Sequence, residues 1–263
     1  MPDYPPIQPN GSLMIAWQVK DKPVLVIGGG EVPLLQLLSH TYHIYQLTNK
    51  PQKKVAASRI VHLLNASALI TVLCPPSGLS PEVQHRLSTH PSRITHIPRP
   101  FDPSDLDSTP APSLVLSAID DPAVSTQIWQ ECKKRKIPAN IADVPSECDF
   151  YFGAVHRSGP VQVMVSTNGK GPRMAGLLRD RIAGCLPGNA GEAVENVGVL
   201  RGMLRVRAPG VEEGKRRMRW ISRVCERWSL EELGSLEEGD MDVLLGYYGR
   251  DEVPGLEEVR GKK

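Results

Sequence analysis

Three glycines end an apolar run in the stretch VLVIGGG, and they are the first residues that could do chemistry. Gly28 and Gly30 form a G-x-G pattern at the end of a predicted strand. Glycine lets the backbone turn sharply and approach a pyrophosphate, which the N-terminus of a following helix then stabilises. The pattern therefore indicates a dinucleotide-binding loop, although a plain tight turn after a strand would give the same residues.

Two nearby features depart from the usual dinucleotide pattern. The third small residue should stand three positions after Gly30, where this chain has Pro33. The second predicted strand ends in LCPP and lacks the carboxylate that commonly binds the ribose hydroxyls. Any dinucleotide contact near Cys74, Pro75 and Pro76 must therefore use backbone groups.

A second polar group lies in the stretch STNGKGPR, whose composition predicts a turn leading into a helix from about Arg173. Lysine and arginine at such a turn can bind carboxylates, and they can equally be solvated surface charges. His156 lies upstream and could touch a metal or a substrate. A lone histidine is more often structural or exposed to solvent, so this assignment stays open.

The elements that must position these residues alternate along the first half of the chain. Five strands are predicted over PVLVIGGG, ALITVLCPP, RITHIPRPF, SLVLSAIDD and IPANIAD, and LMIAWQV before them is also strand-like. Helices are predicted over AASRIVHLLNA and, from Pro122, over PAVSTQIWQECKKRK. Strands alternating with helices predict a parallel, doubly wound, Rossmann-type α/β sheet over about residues 13–150.

The pattern changes after residue 150. The stretch from Asp149 to Leu186 predicts two strands, a turn and a helix, and the charged tail over 189–263 predicts helices. Ser229 and Glu232 form a capping box in this tail. An amphipathic helix face is predicted from residues spaced three and four apart, namely Met218, Ile221, Val224, Cys225 and Trp228.

Composition narrows the class of protein. The 263 residues are 40% hydrophobic, which predicts a packed core, and the net charge of +2 gives no case for nucleic-acid binding. The five cysteines form no CxxC pair, which favours free thiols in a reducing compartment. We see no signal peptide and no apolar run approaching eighteen residues, so we expect a cytoplasmic protein without a membrane span.

Several segments together resemble one family. With residues 32–54 removed, the glycine loop reads VLVIGGGEVAASRIVHLLNASALITVLCP. Two later segments belong to the same resemblance, namely LVLSAIDDPAVSTQIWQECKKRKIPANIADVPSECDFYFGA and VQVMVSTNGKGPRMAGLLRDRI. Together the three segments resemble the siroheme synthase N-terminal domain family of precorrin-2 dehydrogenases and sirohydrochlorin ferrochelatases. The tail with RMRWISRVCERWSLEEL resembles the fungal, stand-alone bifunctional form, and the resemblance spans roughly residues 13–250 apart from the interruption.

The resemblance implies three regions and a homodimer. They are an NAD-binding Rossmann-type domain over 1–150, a small α+β dimerisation region over 151–188 and a C-terminal helical domain over 189–263. Members of the family are dimers that exchange elements through the central region. We therefore expect a homodimer that acts on precorrin-2 and sirohydrochlorin.

The resemblance also implies two reactions. Precorrin-2 is oxidised to sirohydrochlorin with NAD+ taking the hydride, and Fe2+ is then inserted as a substrate, displacing two pyrrole protons. Both reactions need a proton acceptor, and the family's key aspartate falls on Asp143 in NIADVP. We expect Asp143 to act as the general base and as a transient metal ligand. Spacing alone would favour a turn residue or a helix cap before Pro145.

Further site residues follow from the same resemblance. NAD contacts are expected at Gly28, Gly29, Gly30, Glu31, Val32, Cys74, Pro75, Pro76 and Ala118. The substrate is a ring edged with carboxylates, and its expected contacts are Arg157, Thr167, Lys170 and Arg173, with Arg179 as a further candidate. Two positions depart from relatives: Thr167 replaces a serine that can be phosphorylated in bacterial members, and Gly171 precedes Pro172 where Ser-Pro is common.

The interruption itself, Val32–Lys54, has the features of a retained intron. Its 23 residues preserve the reading frame, a valine codon begins with GT and a lysine codon can end in AG. Leu47-Thr48 can be encoded with the branch-point word CTAAC. The alternative is a genuine surface loop. It would separate the helix N-terminus from the pyrophosphate, and about 0.3–2 kcal/mol of anion stabilisation would be lost.

Two other functions remain open on the residues. A disrupted phosphate loop is compatible with a non-catalytic NAD-binding sensor or scaffold, which would need neither an intact loop nor Asp143. A different short-chain Rossmann oxidoreductase is disfavoured, because no Tyr-x-x-x-Lys pair follows the fourth predicted strand.

Overall fold

The structure is a computed structural model that describes residue 9, residues 11–30 and residues 55–262. The chain divides into two compact units, one formed by Leu13–Tyr151 and the other by Phe152–Lys263 together with Met1–Ser12. Among the described helices, none combines the length and the apolar character needed to cross a membrane.

The first unit is built on a five-stranded parallel sheet in the order β3-β2-β1-β4-β5. The strands are β1 (Pro23–Ile27), β2 (Leu69–Leu73), β3 (Ile94–Ile97), β4 (Leu114–Ser117) and β5 (Ala139–Ile141). Nearly continuous burial along β1 and β4 is typical of a parallel sheet covered by helices on both faces. The predicted doubly wound α/β fold is therefore confirmed.

Three helices cover this sheet, namely α1 (Val55–Asn65), α2 (Pro81–Thr89) and α3 (Pro122–Lys134). The predicted helices after the interruption and after Asp121 are α1 and α3. α3 begins at Pro122 because the Asp121 carboxylate accepts hydrogen bonds from the first free backbone N–H groups. α2 was missed by the sequence pattern, since Val83 is its one buried residue.

Side-chain alternation gives the sheet two buried faces. Leu25 and Ile27 of β1 point to one face, where they pack with Ile128 and Cys132 of α3. Val24 and Val26 point to the other face, and α1 packs against β1 and β2 with four buried residues, Ala56, Ala57, Ile60 and Leu63. The sheet is thus fixed from both sides, which holds its strand ends in place.

The second unit begins with an antiparallel hairpin of β6 (Ala154–Ser158) and β7 (Val161–Val165), against which α4 (Pro172–Ala183) packs. This confirms the predicted order of strand, strand, turn and helix. The helical part that follows comprises α5 (Ala190–Arg207), α6 (Gly214–Arg227), α7 (Leu230–Gly234), α8 (Glu238–Leu245) and α9 (Leu256–Arg260).

Two buried tryptophans anchor the core of these helices. The indole N–H groups of Trp220 and Trp228 donate to the carbonyls of Glu252 and Pro254, each at 2.8 Å. These bonds satisfy the polar end of each ring inside an apolar cluster. The predicted capping box is present, because Glu232 N–H donates to Ser229 Oγ while Ser229 N–H donates to the Glu232 carboxylate.

One sequence prediction is wrong and another is right in part. LMIAWQV forms no strand, and its Leu13 side chain is 87% exposed. The amphipathic face predicted around α6 is present, since Ile221, Val224 and Trp228 are buried, but Met218 and Cys225 are exposed. Trp220 completes the buried face, because it stands four residues before Val224.

Candidate active site

The strand order reverses between β1 and β4, since the chain runs outward from β1 to β3 and then returns to β4 before β5. In open α/β sheets, ligands bind outside the carboxyl ends of the strands at such a reversal. The predicted cofactor residues therefore need to be located relative to these strand ends.

The glycine loop passes very close to the end of β4. Gly28 has a φ of +100° and Gly30 a φ of +87°, in the left-handed region that favours glycine. A Cβ atom built on Gly28 would lie 2.3 Å from the carbonyl oxygen of Ala118, so that no side chain fits there. The Ala118 N–H donates to the Ile27 carbonyl at 2.8 Å, which ties the two strand ends together.

On its other side, the loop packs against the residues that follow β2. A Cβ atom on Gly29 would lie 2.5 Å from the Gly78 carbonyl oxygen and 2.7 Å from Cys74 Sγ. Gly29 also accepts a hydrogen bond from Ser80 N–H at 3.0 Å. Burial raises the pKa of the Cys74 thiol, against a hydrogen bond from the Gly29 backbone. Cys74 is therefore a neutral packing residue in this loop.

The structure thus brings one set of predicted cofactor residues to the carboxyl ends of β1, β2 and β4, namely Gly28, Gly29, Gly30, Cys74, Pro75, Pro76 and Ala118. The positive φ angles and the absence of space for a Cβ atom explain why this edge needs glycine, which is the pattern of a loop that approaches a pyrophosphate. Glu31 and the interruption, which begins at Val32, lie outside the described residues. Their assignments stay predictions.

Asp143 follows β5 at the same edge of the sheet. It is exposed and has a φ of +61°, which aspartate tolerates better than most residues. The neighbouring Ala142 N–H donates to the Ser117 carbonyl at 3.0 Å, so the Asp143 turn is tied to the end of β4. An exposed carboxylate on a fixed turn can accept a proton from a bound molecule.

Three hydrogen bonds, two of them part-buried, hold the chain around this turn. The Asn140 side-chain amide donates to the Phe150 carbonyl at 2.8 Å, and the Cys148 thiol donates to the Ile141 carbonyl at 3.1 Å. Tyr151 Oη donates to the Pro145 carbonyl at 2.9 Å. These bonds fold the chain after Asp143 back along β5, which fixes where the carboxylate stands.

Arg59 is a residue near this turn that the sequence reasoning missed. It lies half-buried on α1. Burial lowers the pKa of its guanidinium to about 10, against the opposing effect of Cys148 and Asp143, so Arg59 remains a cation at neutral pH near the Asp143 carboxylate. A basic residue inside the apolar pattern AASRIVHLL was the signal that could have pointed to it.

We predict that Arg59→Met lowers turnover of a bound substrate about tenfold, because a cation beside the Asp143 carboxylate is removed. Steady-state kinetics of the purified variant measure this. Arg93→Met is the matched control, because Arg93 pairs with Asp21 on the surface of the same unit, and it should keep full turnover. Equal turnover in both variants would contradict a role for Arg59.

Ser117 is a second missed residue. Its side chain is 3% exposed at the last position of β4, and its hydroxyl has no hydrogen-bond partner among the described residues. A buried hydroxyl of this kind costs free energy unless something binds it. The serine in SLVLSAIDD carried no local signal, since strand ends often contain serine.

The predicted substrate residues belong to the second unit. Thr167 Oγ1 accepts a hydrogen bond from Gly171 N–H at 3.2 Å, which closes the turn between β7 and α4.

The predicted basic contacts are exposed. Arg157 lies on β6, Lys170 on this turn and Arg173 on the first turn of α4. Within the described chain these three side chains form no ion pair. Arg179 differs, because it pairs with Asp180 at 2.6 Å. His156 is half-buried on β6.

The described residues contain no group of three or more histidine, cysteine or acidic side chains that could hold a metal ion. The substrate and metal assignments stay predictions.

The sheet topology and the glycine edge define a class, the doubly wound α/β proteins that bind a dinucleotide. Three family models match the chain in succession. The model described as "Putative NAD(P)-binding" matches residues 52–154, "Sirohaem biosynthesis protein central" matches 158–184, and "Sirohaem biosynthesis protein C-terminal" matches 187–254. The first match begins just before α1 and leaves out the glycine loop.

Two fungal siroheme biosynthesis proteins align with most of the chain. It is 42% identical over 256 residues to the one from Schizosaccharomyces pombe, which covers 97% of this chain and 86% of that protein. It is 29% identical over 252 residues to the one from Saccharomyces cerevisiae, which covers 86% of each. The chain therefore belongs to the family of fungal sirohaem biosynthesis proteins.

A solved structure has the same fold. "SirC, precorrin-2 dehydrogenase" superposes with a TM-score of 0.62 over 91% of this chain and 100% of that chain, at 17% sequence identity. At this identity the likeness concerns the fold.

Proposed function

We propose that this chain oxidises precorrin-2 to sirohydrochlorin with NAD+ as hydride acceptor, and then inserts Fe2+ to form sirohaem. One observation carries the proposal. In a member of this family, bare glycine backbone at the ends of β1 and β4 and an exposed carboxylate after β5 share one edge of the sheet.

The glycine edge would hold the cofactor. The Gly28–Gly30 loop carries no side chains at the strand ends, and the residues after β2 and β4 pack against its two sides. When bound, NAD+ supplies the acceptor for one hydride. The buried Ser117 hydroxyl lies one residue before Ala118 and could donate a hydrogen bond to the cofactor.

Asp143 would take the proton that balances the oxidation. Loss of two hydrogens from precorrin-2 delivers one hydride to NAD+ and one proton to a base, giving sirohydrochlorin, NADH and H+. The Asp143 carboxylate is exposed and held by the turn after β5. In the second reaction the same carboxylate would accept a pyrrole proton as Fe2+ enters the ring.

Basic side chains would hold the substrate. Precorrin-2 and sirohydrochlorin carry carboxylates around the ring, and guanidinium groups bind carboxylates through paired hydrogen bonds. Arg157, Lys170 and Arg173 carry charges that no described carboxylate neutralises. Arg173 stands at the start of α4, where its backbone is fixed by the helix.

The two proposed reactions can be tested separately. In one, the chain is incubated with precorrin-2 and NAD+, and the sirohydrochlorin absorbance is followed. In the other, it is incubated with sirohydrochlorin and Fe2+, and the sirohaem absorbance is followed. We expect both products. A chain that binds NAD+ and forms neither product would instead be a sensor or scaffold.

The interruption gives a further prediction. A chain lacking residues 32–54 should bind NAD+ about 2–30-fold more tightly than the 263-residue chain, because α1 then follows the glycine loop directly and its N-terminus contributes about 0.3–2 kcal/mol. Isothermal titration with NAD+ measures the difference.

A control replaces residues 32–54 with a Gly/Ser segment of equal length, and it should bind NAD+ as weakly as the 263-residue chain. Equal affinity in all three forms would show that the interruption leaves the site intact. The retained-intron hypothesis is tested independently on the transcript, which should include a product shorter by 23 codons.

We also propose a homodimer formed through the central region. Four apolar side chains on α4 are between 42% and 54% exposed, namely Met174, Leu177, Leu178 and Ile182. Apolar side chains exposed together on one helix commonly mark a protein interface.

Leu178→Glu should therefore convert the dimer into monomers, because a buried, unpaired carboxylate would oppose association. Light scattering after size-exclusion chromatography measures the mass. Val206→Glu is the matched control, since Val206 is 83% exposed on α5, and it should leave the mass unchanged. A monomeric unmodified chain would contradict the proposal.

A further inference from the structure

A cavity of about 230 Å³ lies between α5 and α6, in the helical part of the second unit. Its volume suits a molecule of about a dozen non-hydrogen atoms, or one edge of a larger molecule. Its lining includes Arg201, Leu204, Arg205, Arg217, Met218 and Ile221.

The segment that forms this cavity is strongly basic. Residues 201–227 contain nine lysines and arginines against three glutamates, whereas the whole chain has a net charge of +2. Two of these cations have acidic partners outside the cavity lining, because Arg216 pairs with Glu213 at 3.7 Å and Arg223 with Asp251 at 3.1 Å. The segment therefore keeps a large positive excess.

None of the three cavity arginines has an acidic partner among the described residues. Arg201 and Arg205 stand one helical turn apart on α5, so their side chains lie on one face. Among the described residues neither has an ion-pair or hydrogen-bond partner. Arg217 of α6 is fixed differently, since its guanidinium donates to the carbonyls of Ala208 and, at 2.8 Å, Gly210. Carbonyl partners hold this guanidinium in place and leave its charge uncompensated.

The remainder of the lining is apolar. Leu204 and Ile221 are buried and form part of the wall, and Met218 is 59% exposed beside them. A ligand in this cavity would meet three cations and an apolar surface together. An inorganic anion would leave the apolar part unused, and a neutral apolar molecule would leave the charges unused.

We propose that this cavity binds an organic anion whose adjacent carboxylates project from an apolar frame. Arg201 and Arg205 would bind the carboxylates, Arg217 would add a fixed charge, and Met218 would cover the frame. Two kinds of ligand have these features: a small free polycarboxylate, and one edge of the carboxylate-rich macrocycle. Only binding of the macrocycle rests on the proposed function.

Two probes distinguish the sources. Phthalate carries two adjacent carboxylates on a ring and fits the cavity volume, whereas uroporphyrin III presents the carboxylated edge of a macrocycle. We expect Arg201→Gln/Arg205→Gln to weaken binding of at least one probe about tenfold or more, and added salt to weaken binding in the unmodified chain.

Arg219→Gln/Arg227→Gln is the matched control. It removes two positive charges from α6 at positions outside the cavity lining, and it should leave binding unchanged. Loss of phthalate binding in the cavity variant assigns a small polycarboxylate, and loss of uroporphyrin binding alone assigns a macrocycle edge. Unchanged affinity for both probes would overturn the proposal.

A second measurement needs no variant, so it stands even if the substitutions impair folding. Phenylglyoxal modifies exposed arginines, and mass spectrometry reports the rate at each position. A bound probe should slow modification of Arg201 and Arg205 and leave Arg219 unaffected. Equal rates with and without both probes would also overturn the proposal. Both tests measure binding alone, so their failure is distinguishable from a failure of catalysis.

Discussion

Asp143→Ala is expected to lower dehydrogenase turnover by roughly 10²–10⁴-fold while NAD+ binds as in the unmodified chain. In the proposed reaction the Asp143 carboxylate accepts the proton released on oxidation, and the proposed cofactor edge is built from backbone near β1 and β4. Turnover of precorrin-2 and NAD+ titration on the same preparation measure the two effects.

Asp143→Asn removes the negative charge and keeps the size and shape of the side chain. Asp143 has a φ of +61°, where alanine is less well tolerated than asparagine, so the alanine variant loses some stability and the asparagine variant should keep it. Both variants should lose turnover. Full activity in either variant would remove the assignment of Asp143 as the general base.

Gly28→Ala is expected to abolish NAD+ binding and to lower the free energy of unfolding by about 2–4 kcal/mol. The new Cβ atom would lie 2.3 Å from the Ala118 carbonyl oxygen, and backbone atoms cannot move aside as a flexible side chain can. The φ of +100° adds backbone strain for any residue with a side chain. The ends of β1 and β4 would have to separate, which changes the edge that meets the cofactor. Chemical denaturation and NAD+ titration measure the two effects.

Gly169→Ala is the matched control, because it introduces backbone strain without a steric clash. Gly169 also has a positive φ, +75°, but an added Cβ atom would meet nothing within 4 Å. This variant should lose about 1 kcal/mol and keep NAD+ binding. A Gly28→Ala variant that is as stable as Gly169→Ala and binds NAD+ normally would contradict the close approach of β1 and β4.

Long apolar runs made most of the fold predictable from sequence. The central strands β1 and β4 are almost continuously buried, so each reads as a largely apolar segment between turn residues. LMIAWQV has the same local composition and forms no strand, because a strand also needs a neighbouring partner that its own sequence does not specify. Likewise α2 escaped detection because a helix with one buried residue has little periodicity.

The candidate site was predictable where backbone chemistry demands a particular residue. Glycine at positions 28 and 30 satisfies positive φ angles, and the strand-glycine pattern expresses that demand locally. Ser117 was not predictable in this way, and for Arg59 the local pattern offered only a basic residue inside an apolar helix sequence. Their importance comes from burial and from proximity to distant residues, which packing creates and a single local pattern does not contain.

The dehydrogenase assignment is tested by measuring NADH and sirohydrochlorin formed from precorrin-2 in one anaerobic reaction. The chain lacking residues 32–54 should be compared with the 263-residue chain. We expect one NADH for each sirohydrochlorin, with the faster reaction in the shorter chain. NAD+ binding without formation of sirohydrochlorin in either chain would overturn the assignment and leave a cofactor-binding scaffold.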